Sequence, residues 1–111
     1  TEHRPWGSFT ILDESHGFKV KRLTVNAGQS TSLQYHKHRS ERWIVVEGEA
    51  TVILGNQIQS VSVNEWIYIP VGEKHMLSNE QDTPMQLIEV QVGAYLGEDD
   101  IVRLDDKYGR I

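Results

Sequence analysis

The sequence predicts an all-β sandwich or barrel. Three observations carry that expectation. Short runs of β-branched and aromatic residues recur along the 111 residues, glycine-bearing turns separate them, and no window longer than a few residues holds a 3.6-residue period. The composition, 38% hydrophobic and 24% charged, is that of an ordinary globular chain. Its length suits a single domain, taken as residues 1–111, with one core.

The elements follow in chain order. Thr1 to Gly7 reads as irregular, with Trp6 expected to pack back onto the sheet. Phe18 to Val25 alternates and is a strand, closed by the turn Asn26-Ala27-Gly28. Trp43 to Val46, Ala50 to Leu54 and Ile58 to Val63 are further strands, with Gly55-Asn56 as a tight hairpin between the last two. Trp66 to Ile69 ends at Pro70, which has no N–H to give to a ladder. Ser78 to Pro84 is a polar loop, and Leu87 to Val92 is a strand. Gly97 to Leu104 is either a short turn or a final strand. Trp6, Trp43 and Trp66 are expected in the core, because tryptophan buries a large area.

Several function classes are disfavoured. The chain has no cysteine, so disulfides and thiolate metal sites are out, and a cytoplasmic location is expected. A net charge of −5 argues against nucleic acid as a partner. No apolar run approaches a membrane span and no signal peptide is visible. The start at Thr1 fits either a processed chain or a domain cut from a longer one.

Chemistry concentrates in two glycine- and proline-framed segments. One holds Gln34, His36 and Glu41 between Gly28 and Gly48; the other holds His75 after Pro70 and Gly72. Two imidazoles, a carboxylate and an amide oxygen form a mixed N/O set suited to a divalent metal. Without thiolates, the set suits an open, working site rather than a closed structural cage. In an extended strand Gln34 and His36 share a face. His38 shares it too if the strand continues, and is then a substitute ligand, a proton carrier or a hydrogen-bonding support. Each residue also has an ordinary reading, as a satisfied core amide or a surface histidine or glutamate.

The two segments resemble the two motifs of the cupin superfamily, whose fold is a double-stranded β-helix or jelly-roll barrel with a metal at its mouth. Gln34 stands where the common pattern has a first histidine, and Asn64 where it has a glycine; asparagine tolerates positive φ. The glutamine variant is similar to the ligand set of phosphomannose isomerases. Further strings resemble the type II phosphomannose isomerase domain: Arg4-Pro5-Trp6-Gly7, Phe18 to Arg22, Ser32 to Arg39, Glu41 to Val46, Ile88 to Gln91, Tyr95 to Arg103, and Asp106 to Arg110. In many members of that family this domain follows a mannose-1-phosphate guanylyltransferase domain, whose glycine-rich nucleotide stretch is absent from these residues.

The resemblance implies a metal-dependent aldose–ketose isomerase that interconverts mannose 6-phosphate and fructose 6-phosphate through an enediolate. The implied cofactor is one divalent ion, zinc first, with manganese, cobalt, nickel or iron as alternatives. The implied partners are a small phosphorylated sugar, a second copy of the chain and, in a longer parent chain, a fused nucleotidyltransferase domain. Base candidates are His38, whose ordinary pKa lies near neutrality, and Glu89, which burial in an apolar strand would raise. Glu89 on a solvent-facing edge strand is the plain alternative. Lys21, Arg22, Arg39, Arg103, Lys107 and Arg110 are available for phosphate. Lys21 and Arg110 are preferred because they fall in the family-like strings; the plain alternative pairs these cations with surface carboxylates. Two other functions stay open: a non-catalytic sugar-binding or assembly module, and another metal cupin enzyme such as a dioxygenase.

Overall fold

The computed structural model describes residues 1 to 110. Among these there are eleven strands and no helix. The strands are β1 (Glu2–Arg4), β2 (Gly7–Ser15), β3 (Phe18–Val25), β4 (Leu33–Tyr35), β5 (Arg39–Glu47), β6 (Glu49–Leu54), β7 (Gln57–Ser62), β8 (Trp66–Ile69), β9 (His75–Ser78), β10 (Met85–Gly93) and β11 (Val102–Asp105). A six-stranded sheet of order β1-β2-β3-β10-β5-β8 faces a five-stranded sheet of order β11-β4-β9-β6-β7, and the pairings are antiparallel. Two facing sheets of short strands match the sandwich or barrel that the strand spacing predicts, and their arrangement is the jelly roll that the cupin resemblance implies.

Period-2 alternation decides what faces inward. On β3 the inward residues are Lys19, Lys21, Leu23 and Val25; on β5, Arg39, Glu41, Trp43 and Val45; on β10, Met85, Leu87, Glu89 and Gln91. Register aligns them in rungs across three neighbouring strands. Leu23, Leu87 and Val45 form one rung; Lys21, Glu89 and Trp43 the next; Lys19, Gln91 and Glu41 the third. One end of the inner face is therefore apolar and the other is polar and ionisable. Val25, Val52, Leu77, Met85 and Leu87 fill the apolar end, each fully buried. Burial of such side chains contributes about 1.5–3 kcal/mol apiece. Buried charge at the other end contributes little to stability at best, so its presence points to function.

Several expectations hold in detail. Gly55-Asn56 joins β6 and β7 as a two-residue hairpin, with Leu54 opposite Gln57. β8 stops at Ile69, before Pro70. Asn64 adopts a φ of 74°, as its place in the second motif requires.

Others need correction. The first residues are not wholly irregular, because β1 folds back on β2. β2 escaped detection because its second half, Ile11 to Ser15, is exposed and carries no alternating signal. Gly97 to Leu104 divides into a turn and the final strand β11. Trp6 and Trp43 are buried, but Trp66 is 59% exposed, with the Arg42 guanidinium 5.2 Å above its ring. β8 is an edge strand, and alternation sends Ile67 and Ile69 inward and Trp66 and Tyr68 outward.

Candidate metal centre and substrate cavity

Three of the four expected ligands converge. Donor atoms of His36, Glu41 and His75 lie within 4.8 Å of one another, and all three residues are buried. Glu41 comes from β5 and His75 begins β9; His36 sits one residue past β4. The facing sheets thus supply ligands from both sides. Gln34 on β4 is the cross-strand partner of His75 and lines the same cavity, with its amide nitrogen donating to Ser32 O at 3.3 Å and Ser32 Oγ at 3.1 Å.

Backbone contacts fix both imidazoles. His36 Nδ1 is 2.6 Å from Asp100 O, and His75 Nδ1 is 2.9 Å from Glu73 O. A carbonyl only accepts, so each Nδ1 carries the hydrogen and each Nε2 is left to accept or to ligate. His36 Nε2 is 3.2 Å from Glu41 Oε2. The Arg39 guanidinium meets both atoms, with Nη2 3.3 Å from His36 Nε2 and Nε 2.8 Å from Glu41 Oε2, so the structure already places positive charge where two acceptors would otherwise repel. The donor set and its geometry fit a divalent cation.

Glu41 has further partners. Its Oε1 accepts from Trp43 Nε1 at 2.9 Å, and its Oε2 accepts from Arg39 Nε at 2.8 Å. Arg39 was expected at a phosphate; alternation on β5 instead turns it inward beside the ligands, where its Nη1 is buried without a partner among the described residues. Burial opposes the charge of Glu41. The neighbouring His36, Glu89 and Arg39 more than offset this, so its pKa lies well below the usual carboxylate range. Burial also lowers the pKa of His75, which favours the neutral, ligating imidazole.

Glu89 is the second buried carboxyl. It lies on β10, a central strand, so the edge-strand alternative does not apply. Trp43 Nε1 donates to its Oε1 at 3.0 Å and Gln91 Nε2 to its Oε2 at 2.8 Å. Burial, and then the charge of Glu41, push its pKa up to about 8. Lys21 is its cross-strand neighbour on the cavity face.

The remaining expected residues separate clearly. Lys21, Arg39, Arg103 and Arg110 line the cavity with the ligands. Lys21 is paired with Glu98 at 2.6 Å, and Arg110 holds Asp106 with two nitrogens at 2.7 and 3.0 Å. Arg103 lies opposite Gln34 in the sheet, and its buried Nε has no partner among the described residues. His38, Arg22 and Lys107 lie outside. The strand ends at Tyr35, so His38 falls in an exposed bend against Tyr95. Arg22 points outward because Lys21 and Leu23 point inward. Lys107 reaches the Gly28 carbonyl at 3.0 Å from an exposed position.

Sequence reasoning missed three contributors. Trp43 was read as core alone, yet its N–H joins both carboxyls. Glu98 and Asp100 are not among the residues the sequence singles out, yet Glu98 lines the cavity and Asp100 supports His36. Their place in the Tyr95 to Arg103 string was the one signal that set them apart.

The family model described as "Mannose-6-phosphate isomerase C-terminal" matches residues 1–106. The xanthan biosynthesis protein XanB of Xanthomonas campestris is 51% identical over 108 residues, which cover 97% of this chain and 23% of that protein. A mannose-1-phosphate guanylyltransferase of Escherichia coli is 47% identical over 109 residues, 98% of this chain and 23% of that protein. The chain thus spans about a quarter of the length of the curated relatives it matches. A crystal structure of a Klebsiella pneumoniae protein with a double-stranded beta-helix domain superposes with a TM-score of 0.75 at 20% identity, covering 88% of this chain and 83% of that one, a likeness of fold. With two facing antiparallel sheets and a nearly full-length family match, this chain is a cupin-type double-stranded β-helix and belongs to the mannose-6-phosphate isomerase C-terminal family.

Proposed function

We propose that this domain is a metal-dependent sugar-phosphate isomerase that interconverts mannose 6-phosphate and fructose 6-phosphate. One observation carries the reading: a buried carboxyl with its pKa near neutrality, Glu89, shares a hydrogen-bond donor with a candidate metal ligand, Glu41, at the end of a cavity lined by cations. The family membership supplies the substrate class.

Each residue then has a task. His36, Glu41 and His75, with Gln34 beside them, would hold one divalent ion, zinc first, with manganese, cobalt, nickel or iron also suited to the N/O set. Such an ion would supply Lewis acidity to the oxygens of an open-chain sugar. Glu89 moves the proton between C1 and C2. With a pKa of about 8, it sits close enough to neutrality both to give and to take one. Lys21 stabilises negative charge developing on the sugar oxygens. Arg103, which has no carboxylate partner among the described residues, binds the phosphate. Arg110 is held by Asp106 and shapes the mouth beside it.

The outer face of the six-stranded sheet exposes Ile44, Trp66, Tyr68 and Val92, and this reading gives that face to pairing of two copies. In a longer parent chain, the domain would accompany a nucleotidyltransferase domain, as the names and lengths of the relatives suggest.

A second reading has one observation in its favour. Arg39 already neutralises Glu41, as in a non-catalytic barrel that needs no ion. A coupled assay of mannose 6-phosphate conversion, run on zinc-loaded protein and on Glu89→Gln, separates the two. Turnover in the parent and its loss in the variant support the isomerase; no turnover in either supports the module.

A further inference from the structure

We propose that Asp100 is the residue that positions His36 for metal binding, and that the loop carrying it is a strap fastened across the open end of the barrel. This rests on the metal-binding reading of the centre. Asp100 follows β10 and precedes β11, more than sixty residues from the segment it contacts. It grips that segment in two ways. Its main-chain oxygen is 2.6 Å from His36 Nδ1, and its carboxylate accepts the backbone N–H of Lys37 and of His38, each at 2.9 Å. The residue is only 7% exposed.

The two grips depend on each other. A side-chain carboxylate that takes two consecutive amide hydrogens fixes the bend after β4 relative to Asp100. Its own carbonyl is then held where the imidazole must donate. The other ring nitrogen is thereby aimed at Glu41 Oε2, 3.2 Å away. His36 needs this external support because it lies past the end of β4, where no strand ladder sets its direction.

The strap has its own fastenings. Lys19 Nζ donates to Leu96 O at 2.9 Å, and Lys21 Nζ donates to Glu98 Oε1 at 2.6 Å. Asp100 N closes a turn onto Gly97 O at 3.1 Å. Two polar contacts thus seat this short loop against β3, and three seat it against the His36 bend. A loop with only a connecting role would not need a buried aspartate whose main-chain and side-chain oxygens all face a single three-residue segment.

The test is zinc titration by calorimetry, with the cobalt(II) absorption spectrum as a report on coordination geometry. Asp100→Ala is expected to weaken zinc binding by about 10- to 100-fold, the usual consequence of losing a group that orients a ligand, and to alter the cobalt spectrum. Asp100→Asn is expected to fall between, because an amide offers one accepting oxygen and turns a donor toward the second N–H. It carries the comparison if the alanine variant does not fold. Asn79→Ala is the control: Asn79 is fully buried, donates to Val25 O and Thr83 O, and lies away from the ligands, so its loss should lower stability and leave zinc affinity unchanged. Parent-like zinc affinity in a folded Asp100 variant overturns the inference, as does an equal loss of affinity in Asn79→Ala. Failure of the parent protein itself to take up zinc or cobalt overturns the metal reading beneath it.

Discussion

Trp43 Nε1 lies 2.9 Å from Glu41 Oε1 and 3.0 Å from Glu89 Oε1, so a single indole N–H serves both buried carboxyls of the cavity. One of these carboxyls is held ionised and the other protonated at neutral pH. The shared donor joins the pair; burial first, and then the charge of Glu41, raise the proton affinity of Glu89. Trp43→Phe preserves the ring and deletes the N–H. It should lower unfolding free energy by about 1–3 kcal/mol, the cost of buried acceptors left without a donor, and weaken metal binding by about tenfold. Urea unfolding and calorimetry measure the two effects; unchanged metal affinity would contradict the shared role.

Glu41→Ala and His75→Ala should each abolish stoichiometric metal binding. Each removes a donor from a cluster in which the donor atoms span no more than 4.8 Å. Elemental analysis after dialysis gives the answer, and a full equivalent of metal retained in either variant refutes the ligand assignment.

Glu89→Gln should keep its metal and lose turnover. The amide can still accept from Trp43 but can no longer carry the proton. A loss of about a hundred- to ten-thousandfold in kcat is expected for a general acid–base group. Near-normal kcat at unchanged metal content would move the proton transfer to another residue.

Arg103→Ala should raise KM for mannose 6-phosphate more than it lowers kcat, as expected for uniform binding of a remote phosphate. Arg110→Ala should do less to KM and more to stability, because its guanidinium is already engaged by Asp106 at 2.7 and 3.0 Å. Steady-state kinetics on both variants decide between them. A larger KM effect at Arg110 would reverse the assignment.

Asp106 closes the last turn on itself, accepting from the backbone and guanidinium of Arg110, and the hydrogen bond from the Arg110 side chain is the main reason its pKa is lowered to about 2. A carboxyl whose folded pKa lies below its unfolded value adds stability that is fully present above the unfolded pKa, here 3.8. That stability is lost as the pH falls toward 2. With partial solvent screening, the contribution is about 1–2 kcal/mol. Thermal unfolding of the parent protein should therefore weaken more steeply between these pH values than that of Asp106→Asn; parallel curves would contradict the linkage.

Much of this was legible in the residues themselves. Alternation in Phe18 to Val25 and Leu87 to Val92 located the two strands that carry Lys21 and Glu89. The framed segments located His36, Glu41 and His75. Directions set by loops were not legible. His38 looked like a neighbour of His36 until the strand ended at Tyr35 and turned it to solvent. The four candidate cations of the cavity could not be sorted by sequence, because pairing of Arg110 with Asp106 and of Lys21 with Glu98 depends on how the last segments fold over the barrel. The contact between Arg39 and Glu41 was hidden for a related reason: one residue of register decides whether Arg39 faces inward beside that carboxylate or outward.

The most direct test of the whole account is exchange of the C2 proton of mannose 6-phosphate with solvent deuterium, followed by NMR on one preparation before and after chelation. Exchange that proceeds with about one equivalent of bound divalent metal, stops on its removal and returns on its replacement is the predicted result. A metal-replete, folded protein that leaves the C2 proton untouched, or exchange that persists after the metal is gone, would contradict it.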